Sequence, residues 1–286
     1  VRRRSRTRAA MLCAVGALAV AGLIQYAPDV LALAEPKHHI SEDAGPPTDW
    51  NKKGTYLSAA QAYPSVVRLL GSDGSPFCSG SVVHSPGADI VITAAHCVYS
   101  GGTYNTGVSV APGTTGGADQ HGTWNVDRIW VDPRYTQGDE RYDYAFLRVS
   151  RPGGPEIEDA VGGNTLTVNE PFDLRGVTTT GYPDSSNPGD QQITCTMNTY
   201  QSGAHDQYRE MRCGGYYAGV SGGPWVLLKP GARTGALIGV VGGYNGGGPS
   251  DDDAHADAIS YSPYFTNDTM ALYQQAVDDD GGQDAG

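Results

Sequence analysis

The chain has 286 residues and carries 19 basic against 31 acidic side chains, a formal net charge of -12, with five cysteines. A surface that tracks phosphates needs clustered Lys and Arg to displace counterions, so this balance excludes nonspecific nucleic-acid binding and reads as solubility. The 17 Tyr and 4 Trp can bury large areas, while 40 Gly and 18 Pro point to a turn-rich, all-β chain.

Arg2, Arg3, Arg4, Arg6 and Arg8 precede an apolar run from Ala9 to Ile24, and Ala32-Leu33-Ala34 follows. This pattern predicts a secretory signal peptide over residues 1–34 with an A-x-A cleavage site, hence a secreted, extracellular protein. As a membrane anchor the run is short of the roughly 20 apolar residues a span needs, and no stable membrane association is expected after cleavage. Almost nothing apolar precedes Cys13, so a lipoprotein anchor fits poorly. Loss of the leader removes five arginines and Asp29, which takes the net charge from -12 to -16. Cys13 leaves as well, and four cysteines in an oxidising compartment imply two disulfides with three possible connectivities.

Residues 35–60 are polar and contain Pro36, Pro46 and Pro47, which predicts a propeptide or disordered arm, with order beginning near Tyr63. Short β-branched and aromatic runs follow, separated by Gly, Pro, Asn and Asp. The first set is Ser65 to Leu70, Gly80 to His84, Ile90 to Thr93, Val108 to Ala111, Thr123 to Val131 and Tyr144 to Val149. The second is Val177 to Tyr182, Gln192 to Tyr200, Tyr208 to Cys213, Gly223 to Leu228, Gly235 to Gly242 and Ala258 to Ser260. Arg151 to Gly163 reads as the connector between two β units of similar size. One helix is expected, over residues 267–277, capped by Asn267 or Asp268, with Met270, Leu272, Tyr273 and Val277 on it. An acidic tail, residues 278–286, closes the chain.

Chemistry concentrates in three segments: Thr93-Ala94-Ala95-His96-Cys97, Asp143-Tyr144-Ala145-Phe146-Leu147 and Gly219-Val220-Ser221-Gly222-Gly223-Pro224. Alone, His96 reads as a core histidine, Asp143 as a turn residue and Ser221 as a hydroxyl in a glycine-rich bend. Together they supply a weak nucleophile, a base to deprotonate it and a carboxylate to orient the base. Gly219, two residues before Ser221, permits a turn that aims the Gly219 and Ser221 N–H groups at an oxyanion.

The order His, Asp, Ser in these contexts resembles the trypsin-like, chymotrypsin-fold serine proteases of bacterial secreted type. The resemblance covers about residues 61–277. It implies two six-stranded antiparallel β-barrels, about 61–150 and 164–265, and a C-terminal helix. It further implies endopeptidase activity on polypeptides, through an acyl-enzyme, in a monomer without cofactor. It also implies a Cys78–Cys97 bridge beside the histidine and with it a Cys195–Cys213 bridge, which has no family counterpart. Gly215 stands where an Asp would select basic P1 residues, so small or apolar P1 is expected, with Tyr216 reshaping the pocket. Val240-Val241-Gly242-Gly243-Tyr244 lies where the family pairs with extended substrate, and Gly242, Gly243 and Tyr244 become substrate-binding candidates.

The sequence also departs from the animal-type pattern. Val220 replaces the Asp before the nucleophile, and no Ile-Val-Gly-Gly start precedes Tyr63, so activation is expected to work by removing a covering segment within residues 35–60. Two rival readings remain. Gly219-Val220-Ser221-Gly222-Gly223 also fits the G-x-S-x-G elbow of α/β-hydrolase esterases, with Asp251, Asp253 and His255 downstream. A binding protein with silent catalysis could use the same fold. His38, His39, His84, His121 and His205 have no metal-ligand spacing, and no metal is expected.

Overall fold

The computed structural model describes residues 50–279 apart from 117–118, 185–186, 188–189 and 251. The leader, residues 35–49 of the arm, and the tail beyond 279 lie outside the described residues.

The first β unit is a closed antiparallel barrel. Its strands run Val66–Leu70, Pro76–Val83, Ile90–Thr93, Ala145–Ser150, Trp124–Val131 and Ser109–Pro112, in that order around the barrel. These are the β-branched runs of the first set, and closure removes the unpaired edges that such apolar strands would otherwise expose. Val67, Leu69, Val82, Val91, Leu147 and Trp124 fill its interior.

The second unit is an eight-stranded sheet. Its path is Thr165–Leu166, Ala236–Val240, Pro224–Leu227, Leu174–Gly181, Ile193–Gln201, Tyr208–Arg212 and Ile259–Pro263. Thr55–Tyr56 adds to Ile193–Gln201. Thr165–Leu166 pairs parallel with Ala236–Leu237; the other pairs of the sheet are antiparallel. Thus the expected second six-stranded barrel is a sheet with two additional two-residue strands, too short to leave a period-2 signal.

Order begins earlier than Tyr63. Gly214 N–H donates to Lys52 O and Gly54 N–H to Gly214 O, both 2.9 Å, and Leu57 N–H donates to Gln192 O at 2.8 Å. The last part of the arm is therefore bound as an extra strand, held by backbone bonds that need no sequence periodicity.

The connector carries a short helix, Ile157–Val161, with Ile157 fully buried. At its end, buried Asn164 ties the units together. Its backbone pairs with Val82 and His84, its Nδ2 donates to Ser81 Oγ at 2.9 Å, and its Oδ1 accepts Gly235 N–H at 2.9 Å. The C-terminal helix spans Asn267–Asp278, and its cap is Thr266 rather than Asn267 or Asp268. Thr266 Oγ1 accepts Asp268 N–H, and Thr269 Oγ1 accepts Thr266 N–H, so two otherwise orphaned N–H groups are satisfied reciprocally. Leu272, Tyr273 and Ala276 bury against the first unit, and Tyr273 hydroxyl donates to His84 O at 2.7 Å.

Candidate active site

His96 sits in a one-turn helix, Ala95–Val98, directly after strand Ile90–Thr93. Asp143 caps a 3-10 turn, Glu140–Tyr142, just before strand Ala145–Ser150. These two strands are hydrogen-bonded neighbours, with Thr93 opposite Ala145, so sheet register delivers both residues to one barrel rim.

The Asp143 carboxylate is buried and accepts three N–H groups. Oδ1 takes the His96 backbone N–H at 2.8 Å; Oδ2 takes His96 Nδ1–H at 2.8 Å and Gly243 N–H at 2.7 Å. A buried carboxylate without such donors would be costly, and here all three also fix its direction. With Nδ1 donating to Asp143, the His96 Nε2 is the acceptor nitrogen; this tautomer follows from the hydrogen-bond network. Burial disfavours the imidazolium, but the Asp143 charge, its hydrogen bond and Glu140 outweigh it and hold the His96 pKa above the ordinary histidine value. The second unit closes over the pair at Gly242, where an added Cβ would lie 2.9 Å from Asp143 Oδ2. Only glycine allows that approach.

Ser221 lies in the turn leading into strand Pro224–Leu227. Its carbonyl accepts Ser79 N–H at 2.7 Å, and Gly222 N–H donates to Val241 O at 2.7 Å. Gly222 is pressed against the His96 segment: a Cβ there would lie 2.2 Å from Thr93 Oγ1 and 2.8 Å from Ala94 N. Gly219 has φ +96°, and a Cβ would lie 2.6 Å from Tyr182 O, so the turn requires glycine on both conformational and steric grounds. Val220 N–H bonds Tyr217 O and Gly223 N–H bonds Val220 O. The Gly219 and Ser221 N–H groups donate to no acceptor among the described residues. These are the two amides the sequence pointed to.

Cys78–Cys97 and Cys195–Cys213 are both bonded. The first passes beneath the site, with Cys97 Sγ 3.8 Å from Ser221 O. Cys78, His96 and Cys97 bring potential metal-ligand atoms within 4.8 Å of one another, but both sulfurs are spent in the disulfide.

Gly215, at φ +99°, packs on Ile193, and Tyr216 turns inward to donate its hydroxyl to Thr179 O at 2.7 Å. Burial raises the Tyr216 pKa well above that of an ordinary phenol. The expected substrate-pairing strand differs from its sequence outline, because regular pairing stops at Val240. Gly242 N–H is spent on Tyr261 O, Gly243 N–H on Asp143, and Tyr244–Gly246 forms a 3-10 turn whose Tyr244 ring stacks on His205 at 3.7 Å. Satisfying the buried carboxylate takes precedence over an extended conformation here.

Two roles at this site carried no sequence signal: that of Gly243, expected to bind substrate, as a donor to Asp143, and that of Ser79. Gly243 acts through its amide, which any residue type possesses. Ser79, fully buried, gives its hydroxyl hydrogen to Gly219 O at 2.8 Å and accepts Tyr182 N–H at 2.8 Å. The esterase reading fails on the fold, since Ser221 runs directly into strand Pro224–Leu227 where that elbow needs a helix. Of its proposed partners, His255 stacks on Trp50 at 3.7 Å with its N–H on Asp253, and Asp251 lies outside the described residues.

Comparison with known proteins bears on the family and the fold. The family described as Trypsin matches residues 53–263, most of the described chain. The chain belongs to the trypsin family. A glutamyl endopeptidase of Bacillus licheniformis is 29% identical over 188 residues, covering 63% of this chain and 54% of that protein. A trypsin of Saccharopolyspora erythraea is 31% identical over 93 residues, covering 32% of this chain and 39% of that protein. This trypsin-family chain therefore aligns with about half the length, or less, of these relatives. Among solved structures, the protease Anisep from Arthrobacter nicotinovorans superposes with a TM-score of 0.64 at 24% identity, over 76% of this chain and 97% of that one, a likeness of fold.

Proposed function

We propose that this trypsin-family chain is a secreted, monomeric serine endopeptidase with His96, Asp143 and Ser221 as its triad. The carrying observation is the orientation of His96 by the triply bonded Asp143, beside a serine turn packed on Thr93 and Ala94 whose Gly219 and Ser221 amides have no acceptor among the described residues. In this reading His96 Nε2 takes the Ser221 hydroxyl proton as Oγ attacks the peptide carbonyl. Asp143 stabilises the resulting imidazolium, and the Gly219 and Ser221 amides receive the oxyanion. His96 then returns the proton to the leaving amine, and water repeats the sequence on the acyl-enzyme. The arginine-rich leader and the two disulfides support export.

Gly215 offers no charge to a basic P1 side chain, and Ile193 and Tyr216 surround it with apolar surface, which supports small or apolar P1 residues. A fluorophosphonate probe tests the activity: Ser221 should be labelled, and Ser221→Ala should abolish labelling. Native protein that resists the probe would instead support a silent binding protein. A peptide-library digest then reads P1 directly, with glutamate, suggested by the name of the Bacillus relative, as the outcome that would displace the apolar assignment.

A further inference from the structure

Ser79 occupies strand Pro76–Val83 of the first barrel, and each of its polar atoms is committed across or beside the boundary with the second unit. Its N–H holds Ser221 O at 2.7 Å, and its carbonyl accepts Thr93 Oγ1–H at 2.7 Å. Its hydroxyl donates to Gly219 O at 2.8 Å, the one proton it has to give, and is oriented by the Tyr182 N–H it accepts at 2.8 Å. The neighbouring peptides of the turn have their own holds: Asp184 N–H bonds Ala218 O, and Gly223 N–H bonds Val220 O, both 2.8 Å. The Gly219–Val220 peptide lies between them. At φ +96° glycine adds few steric barriers of its own, and this peptide is held by a long bond from Val220 N–H to Tyr217 O, 3.3 Å, and by a shorter one at the Gly219 carbonyl. The shorter tie comes from the Ser79 hydroxyl.

We propose that Ser79 is a positioning residue for the oxyanion site: its side chain fixes the Gly219–Val220 peptide, which joins the two donor-bearing peptides, so that the Gly219 and Ser221 amides point together at the developing negative charge. The inference rests on the reading of those amides as the oxyanion donors. The Ser79 backbone alone already fixes Ser221; the side chain adds control of Gly219. Because the donors meet full negative charge only in the transition state, loss of this control appears in kcat and leaves ground-state binding intact. Removing one oxyanion donor outright costs roughly 100- to 1000-fold, so releasing it from its preferred direction should cost about 10- to 100-fold.

The test uses the full chain with Ser79→Ala, and Ser79→Gly as a second hydroxyl-free variant should alanine impair folding. Fluorophosphonate labelling of Ser221 in the native chain comes first, since its failure removes the protease reading itself and not this refinement. With labelling established, both variants should lose kcat by that factor while KM stays within about threefold, and a peptide aldehyde, whose adduct bears the oxyanion, should bind more weakly by a matching factor. Ser79→Thr, which keeps the hydroxyl, should restore both. An unchanged kcat overturns the proposal. So does a loss carried by KM, or by thermal stability with aldehyde affinity unaltered, because either would make Ser79 a packing residue only.

Discussion

Replacing Gly242 with alanine tests whether the second unit sets the orientation of His96. The new Cβ would lie 2.9 Å from Asp143 Oδ2, 3.1 Å from Asp143 O and 3.3 Å from Ala94 Cβ, and the first of these is closer than a carbon and an oxygen tolerate. Gly242 has no left-handed φ, so the substitution perturbs through space and not through backbone strain. The carboxylate must give way, and Oδ2 is the oxygen that receives both His96 Nδ1–H and Gly243 N–H. A hydrogen bond to a charged group is worth about 1.5–3 kcal/mol. Loss of one such bond from the aligned imidazole corresponds to a fall in kcat/KM of roughly 10- to 150-fold. The pH profile supplies an independent readout. Asp143, ahead of Glu140, raises the His96 pKa against burial, so a displaced carboxylate lets it fall, and the acid limb of kcat/KM moves to lower pH. Initial rates on a chromogenic peptide, normalised by active-site titration, measure both quantities. Native kcat/KM with an unmoved limb would refute the reasoning, and a loss confined to KM would make Gly242 a peptide-contact residue instead.

Protonated His96 should stabilise the fold while activity needs it neutral. Its folded pKa lies above the unfolded value of about 6.5, so the stabilisation is full below that pH and is lost as pH rises through the folded pKa, where kcat/KM increases. Urea unfolding of the native chain against His96→Gln should show a stability difference that narrows across this interval, and a constant difference contradicts it. A chain beginning at Ser58 loses the Lys52 and Gly54 partners of Gly214, adjacent to Gly215, and uncovers Ile193, on which both Gly54 and Gly215 pack. It should still take a fluorophosphonate label but show raised KM and an altered P1 ranking in a library digest, whereas higher activity than the longer chain would restore the covering-segment view.

Some of this protein was legible in its residues and some was not. The strands of the first barrel follow from short β-branched runs between turn residues, because burial of alternate side chains leaves a period in the sequence. His96, Asp143, Ser221 and Gly219 could be picked out because their chemistry depends on residue type, as does the glycine required at φ +96°. The bound arm, the parallel Thr165–Leu166 strand and the Thr266 cap were less visible, since two-residue strands have no period and a cap depends on which of several polar residues turns inward.

What the sequence by itself determined was the set of reactive groups and the two β units able to hold them. Only the tertiary structure decided how those groups are aimed. The third donor to Asp143 is the amide of Gly243, and the tie on Gly219 is the hydroxyl of Ser79, 140 positions away along the chain. Backbone amides carry no residue code, and a serine hydroxyl can serve many partners. Their roles appear only when folding removes water and leaves each buried donor one acceptor within reach.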